Sequence, residues 1–147
     1  MRTFFSSFND FFSQKQDFAL LCFRVVVGAM FMWHGFPKIT GGPEVWIHLG
    51  STMKVFGITA MPVLWGFMPA IIEFFGGLFL LLGLGYRFAA LFLFCNMMMA
   101  FSTQLISGTG LSKASQSLED GFSFIAALGV GPGKYSLDHF LLHKRTN

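Results

Sequence analysis

Apolar residues form four long runs along the chain, and short polar or glycine-rich segments separate them. In the clearest run, 62–84, Glu73 is the only ionisable side chain. A helix needs about 20 mostly apolar residues to cross the hydrocarbon core of a bilayer, and only a helix satisfies its own backbone there. The runs therefore predict membrane-spanning helices over about 18–36, 62–84, 88–106 and 113–131.

Three shorter segments predict helices that lie in the membrane interface. Apolar side chains recur at helical spacing in 3–14, 44–57 and 136–143, and polar residues take the opposite face. We therefore expect an all-α membrane protein with a single domain over 1–147. Its architecture would be a four-helix transmembrane bundle with short interfacial helices at the N-terminus, in the first outer loop and at the C-terminus.

The composition agrees with an integral membrane protein. Hydrophobic residues make up 54% of the chain and charged residues only 12%, and the mean hydropathy is +0.62. The net charge of +3 does not indicate nucleic-acid binding, because the basic residues lie mainly between and beyond the apolar runs. Seven Lys and Arg residues fall on the side of the termini and three on the other side, so both termini are expected to be cytoplasmic.

The helix predicted over 62–84 is the one around which the others should pack. Its small residues permit close contact between helices: Gly66, Ala70, Gly76 and Gly77. A bare carboxylate near the middle of the membrane costs about 2.5–3.5 kcal/mol, so Glu73 should face other helices and have a partner or a proton.

Each predicted span carries one polar group at a similar depth. At about 1.5 Å per residue, Arg24 lies about 9 Å from the inner end of its span, Asn96 about 12 Å, Glu73 about 16 Å and Glu119 about 18 Å. We expect Arg24 to bond to Glu73 or Glu119, with Asn96 completing the layer. Two interpretations stay open: the layer only fixes helix packing, or one carboxyl stays protonated beside Arg24 and binds a polar group such as a quinone carbonyl.

Other polar residues are secondary candidates for the site: His34, Lys38, Arg87, Gln104 and Asp120. His34 near a span end is expected to hydrogen-bond in the interface rather than to hold haem. The pattern assigns no catalytic residue. It also predicts no metal site, since consecutive methionines at 97–99 do not converge on one face. Cys22 and Cys95 lie in predicted spans, and the chain has no C-x-x-C motif of its own.

Three segments carry a resemblance to a known family. They are Arg24 with Gly28 and WHGFPK (33–38), EFFGGLFLLLGLGYR (73–87), and GPGKYSLD (131–138). In this order they resemble the DoxX family of small four-helix membrane proteins. The resemblance implies a multi-pass protein of the bacterial cytoplasmic membrane. Some members are tied to thiosulfate:quinone oxidoreductase or to membrane complexes that handle thiol and superoxide stress.

The family's polar pattern, carried over by position, falls on Arg24, His34, Lys38, Glu73, Arg87 and Glu119. The chain departs from that pattern at Gln104-Leu105, where many relatives show His before Leu. A glutamine cannot replace a histidine that carries protons or binds a metal. Redox catalysis is therefore not expected of this chain alone.

These observations favour a membrane subunit of a redox or detoxification system. The polar layer would bind a quinone or another small polar ligand, no cofactor would be covalently bound, and a partner protein would supply the redox centre. The expected surroundings are the lipid bilayer, this redox partner and further copies of the chain. A small proton- or cation-coupled transporter or channel is one alternative. A structural or assembly factor without a ligand is the other.

Overall fold

The computed structural model describes residues 15–143, and these form only helices and the turns between them. The long helices are α1 (Gln16–Thr40), α3 (Pro62–Leu82), α4 (Tyr86–Ile106) and α5 (Leu111–Val130). The short ones are α2 (Gly42–Gly50), a 3-10 helix (Ser51–Phe56) and α6 (Leu137–His143). The predicted N-terminal helix over 3–14 lies outside the described residues.

Helix α3 is the centre of the bundle, and its small residues face three different helices. A Cβ atom on Gly77 would lie 2.7 Å from the carbonyl oxygen of Gly28 in α1. One on Gly76 would lie 2.9 Å from the Leu93 side chain in α4, and one on Gly66 would lie 1.8 Å from the Trp46 carbonyl oxygen in α2. The prediction that small residues let other helices approach α3 is therefore confirmed.

Three helices are long and apolar enough to cross a membrane within the described residues: α1, α3 and α4. Helix α5 has 20 residues, but it carries Lys113, Glu119 and Asp120 and a stripe of exposed polar side chains. It packs along α4, where Gly121 faces Met98. The fourth membrane span therefore stays a prediction, although a helix does occupy the expected range.

The segment after the first span differs from the prediction. Helix α1 does not end at residue 36 but continues through Pro37 to Thr40, where the proline removes only one hydrogen bond near the helix end. The segment 44–57 forms two pieces, α2 and the 3-10 helix, instead of one helix.

Glycine contacts place α2 directly against α3. A Cβ atom on Gly50 would lie 1.8 Å from the Pro62 carbonyl oxygen, and Gly66 contacts Trp46 one turn further along α3. The Trp46 ring N–H also donates to the Lys38 carbonyl oxygen over 2.8 Å, which holds α2 against the end of α1. Helix α2 therefore packs against the first half of α3.

Candidate functional site

Arg24 is almost completely buried, at 2% exposure, and its guanidinium binds backbone carbonyls. Nε donates to Leu80 over 3.2 Å and Nη2 donates to Leu81 over 3.0 Å. Nη1 donates to Pro132 over 2.9 Å and to Tyr135 over 3.0 Å. The last carbonyls of a helix point out of its C-terminal end, where a cation is favourable, so Arg24 stabilises this end of α3. The Leu80 carbonyl oxygen also accepts from the Gly83 N–H over 3.1 Å.

This arrangement contradicts the predicted bond from Arg24 to Glu73 or Glu119. In the part of the chain that the structure describes, the hydrogen bonds of Arg24 go to carbonyl oxygens and not to carboxylates. Leu80 follows Glu73 by about two helical turns, or about 10 Å along the axis. The depth estimate was too coarse to separate two levels of the bundle that are this far apart.

The segment 131–138 closes the bundle around Arg24. The Asp138 carboxylate accepts hydrogen bonds from the backbone N–H groups of Gly85, at 2.8 Å, and Tyr86, at 2.9 Å, so it caps α4. Gly83 has a left-handed φ of 64°, and a Cβ there would lie 2.6 Å from Cβ of Ser136. We call this region, where Arg24, the α3–α4 turn and the segment 131–138 meet, the Arg24 end.

Glu73 finds its partners elsewhere. Its side chain is 7% exposed and forms an ion pair with Lys38 of α1, whose side chain is 32% exposed. Asn96 of α4 donates to the other carboxylate oxygen of Glu73 over 3.3 Å. Glu73 and Asn96, both placed in the predicted polar layer, therefore do meet, and the cation beside them is Lys38 in place of Arg24.

A cavity of about 370 Å³ lies beside this cluster, between the halves of α3 and α4 that point away from the Arg24 end. Lys38, Glu73 and Asn96 supply its polar groups at one side. Most of its remaining wall is apolar and comes from α2, the 3-10 helix, α3 and α4: Leu49, Met53, Trp65, Met68, Pro69, Ile72 and Met99. Space next to an incompletely enclosed charge pair is the arrangement expected of a ligand site.

Gln104 also lines the cavity. Its side-chain N–H donates to the Ser117 hydroxyl over 3.3 Å, which links α4 to α5. Its Oε1 is buried and has no hydrogen-bond partner among the described residues. A buried acceptor without a donor is costly, so this oxygen lowers the stability of the α4–α5 contact.

The remaining candidates do not join the cluster. Glu119 is exposed on α5, and no hydrogen bond or ion pair between residues 15 and 143 joins it to Arg24 or Glu73. Asp120 is partly buried and lies within electrostatic range of His34 and Glu119. His34 and Arg87 are exposed. In the same range, no group of three or more His, Cys, Asp or Glu side chains could hold a metal ion.

The helical spacing of α1 could have identified Lys38 as the partner of Glu73. The face of α1 that packs on α3 follows the spacing i, i+4, i+7, i+11 and i+14 in Arg24, Gly28, Phe31, Gly35 and Lys38. The sequence pattern predicts that the helix ends before Pro37, which places Lys38 in a loop. No comparable pattern in the sequence indicates the cavity wall that α2 and the 3-10 helix supply.

The order of these helices and their polar residues can be compared with known proteins. The family model of DoxX matches residues 19–106, which is more than half of the chain. The chain belongs to the DoxX family. Together with its apolar helices, this makes it a multi-pass membrane protein.

The match covers Arg24, Lys38, Glu73, Asn96 and Gln104 of this DoxX protein, but it ends before α5 and the segment 131–138. Searches of curated proteins and of solved structures gave no match. The ion pair and the cavity therefore lie entirely on the part of the chain that the family defines, apart from the bond between Gln104 and Ser117.

Proposed function

We propose that this DoxX protein binds a quinone, or a similarly small molecule with a carbonyl group, beside Lys38, Glu73 and Asn96. It does so as the membrane subunit of a redox or detoxification system. The observation that carries the proposal is the 370 Å³ cavity with a cation, a carboxylate and an amide at one side. Cavities that bind small molecules typically measure about 300–1,000 Å³ and combine apolar walls with a few polar groups.

The cluster offers complementary partners to the two forms of a quinone. Lys38 is the more exposed member of the ion pair, and its ammonium group can donate to a carbonyl oxygen. The Glu73 carboxylate can accept from the hydroxyl group of a quinol. Asn96 adds a side-chain amide beside the carboxylate. A polar head is therefore recognised by charge-assisted hydrogen bonds in apolar surroundings, where such bonds are strong.

A partner protein supplies the redox centre in this proposal. The sequence has no C-x-x-C motif, and Cys22 and Cys95 are both free. We place the partner against α5 as the fourth span, because its exposed stripe of Gln116, Glu119 and Ser123 would otherwise face lipid. A second protein that covers this stripe removes that cost.

The proposed orientation puts both termini, and with them the Arg24 end, on the cytoplasmic side of a bacterial inner membrane. The cavity then lies toward the outer half of the bilayer. A transporter is less compatible with the packing, since α1 and α3 touch at Gly28 and Gly77 between the cavity and the Arg24 end. A substrate could pass this contact only if the two helices separated.

The test is retention of decylubiquinone by the full chain in lipid nanodiscs. Quinone would be extracted after gel filtration and quantified per protein for the wild type, Glu73→Gln and Lys38→Met. Empty nanodiscs give the background of partitioning. We expect saturable retention by the wild type and about tenfold weaker binding by both variants, which is about 1.4 kcal/mol.

Glu44→Gln is the matched control, because Glu44 is an exposed acid on α2 outside the cavity. It should bind like the wild type. Retention by the wild type that does not exceed empty nanodiscs would contradict the proposal. Ion uptake into sealed vesicles that Glu73→Gln abolishes would indicate a transporter, and a loss of folded protein alone would indicate a structural factor.

A further inference from the structure

The cavity is open at its side, between α3 and α4. Three of the residues that line it are also exposed at the protein surface: Met68 on α3, and Cys95 and Met99 on α4. Cys95 and Met99 are four residues apart, so they lie on one face of their helix. We call these three residues the side rim. They carry no charge, and methionine side chains are flexible enough to let a ligand pass.

The side rim lies at a depth where lipid surrounds the protein. Measured from the helix termini at the Arg24 end, Cys95 lies about 14 Å along α4, Met99 about 20 Å, and Met68 about 21 Å along α3. The hydrocarbon core of a bilayer is about 30 Å thick. The opening therefore faces acyl chains rather than water.

The end of the cavity that lies farthest from the Arg24 end is covered. Met53 of the 3-10 helix is only 6% exposed and lines the cavity there. The contacts of Gly50 with Pro62 and of Gly66 with Trp46 hold this cover against α3. The exposed Thr52 is the residue at which a route from water would begin.

We propose that the ligand enters sideways from the bilayer through the side rim and is a membrane-dissolved amphiphile. Its carbonyl or hydroxyl head binds Lys38, Glu73 and Asn96, and its apolar tail leaves between Met68 and Met99 into the lipid. The inference rests on the proposed function and narrows its ligand class. Because the tail stays outside, the cavity of about 370 Å³ needs to hold only the head of such a molecule.

The test measures binding rates in proteoliposomes from the quenching of tryptophan fluorescence by decylubiquinone, because Trp65 lines the cavity. Trp33→Phe serves as the background, since Trp33 is 75% exposed and lies outside the cavity wall. In this background, Cys95→Phe and Met99→Phe narrow the side rim. We expect both to slow association and dissociation about tenfold while the dissociation constant changes much less.

Leu91→Phe is the matched control, because Leu91 is 43% exposed one turn before Cys95 but does not line the cavity. Its rates should equal those of the background protein. Thr52→Phe should leave the rates unchanged as well. Slower binding in Thr52→Phe with normal rates in both rim variants would overturn the inference and show entry from water.

A measurement without rim variants covers the case in which they fail to fold. The same quinone head without its tail stays in water rather than in the bilayer, so it should bind much more weakly than decylubiquinone. Equal affinity for this head without its tail would overturn the inference. Absence of saturable quenching in the wild type would contradict the proposed function itself, which separates the two failures.

Discussion

Arg24 and Lys38 are two cations on the same face of α1, about 21 Å apart along the helix. Arg24 is 2% exposed and donates to carbonyl oxygens from two parts of the chain. The Lys38 side chain is 32% exposed, pairs with one carboxylate and borders a cavity. Both are charges within a largely apolar protein, yet their surroundings differ in the hydrogen bonds already formed and in the space that remains.

The two ends differ in how completely each charge is enclosed and hydrogen-bonded. At the Arg24 end, the guanidinium is enclosed and its bonds tie α1 to the end of α3 and to the segment 131–138. At the cavity, the ammonium group of Lys38 still has bonding capacity beyond its ion pair with Glu73. A buried charge that is fully bonded stabilises the fold, whereas bonding capacity beside open space favours a ligand.

Arg24→Met should have the largest effect on stability, and a stable variant would contradict the structural role assigned to Arg24. The change removes the guanidinium donors from four carbonyl oxygens in two parts of the chain, so we expect a loss of at least about 3 kcal/mol and little folded protein. Arg24→Lys should recover only part of this loss, because a lysine cannot reproduce the planar fork of donors. Monodisperse yield and the thermal midpoint in detergent measure both effects.

The control for that prediction is Arg87→Met, since Arg87 is an exposed arginine close to the same end of the bundle. It should change the midpoint only slightly. Equal stability of Arg24→Met and Arg87→Met would show that the carbonyl contacts of Arg24 contribute little to the fold.

Two glycines test how tightly the segment 131–138 packs at the Arg24 end. Gly83 and Gly85 both have left-handed φ angles, 64° and 54°, so alanine is strained at either position. Only at Gly83 would the new Cβ collide, at 2.6 Å from Ser136 and 2.8 Å from Arg24, whereas nothing lies within 4 Å at Gly85. We expect Gly83→Ala to cost about 2 kcal/mol more than Gly85→Ala in denaturant unfolding. Equal costs would mean that the segment 131–138 does not pack tightly there.

The smallest effect is expected from Gln104→Leu, on the cavity side. Its Oε1 is already unpaired among the described residues, so the change removes a desolvated acceptor as well as the bond to Ser117. The gain from removing the unpaired acceptor and the loss of the Ser117 bond oppose each other, so the free energy of unfolding should change by no more than about 1 kcal/mol. Gln104→Glu should cost more, because it places a charge in the same buried position. A loss of several kcal/mol in Gln104→Leu would instead assign this region a structural role.

Much of the fold follows from local properties of the chain. The predicted range 62–84 is the helix Pro62–Leu82, and 113–131 is the helix Leu111–Val130. The predicted tail helix 136–143 is Leu137–His143. Long apolar runs and the glycines that flank them are sufficient to predict these helix boundaries, because each boundary depends on residues that are close in the sequence. The end of α1 differs from the prediction, because contacts of Lys38 with Trp46 of α2 and Glu73 of α3 stabilise this last turn.

The candidate site was predicted only in part. Glu73 and Asn96 do meet, at 3.3 Å, and Lys38 was among the secondary candidates. Arg24 and Glu119 were expected in the same layer, but the first lies about two turns away and the second is exposed on α5. Residue counting gives the depth of a side chain only to within about two turns, and it does not give the direction in which the side chain points.

The order of amino acids was sufficient to predict the helical membrane class, the central place of α3 and the need for Glu73 to have a partner. Each of these depends on lengths, small residues or the cost of a charge in an apolar medium, which do not require knowledge of neighbours. The packing of the helices was needed to show that Lys38 is this partner, that Arg24 caps α3, and that α2 leaves a cavity beside the pair. Those outcomes depend on how helices rotate and cross when their glycines come into contact, and the order of residues does not express that geometry.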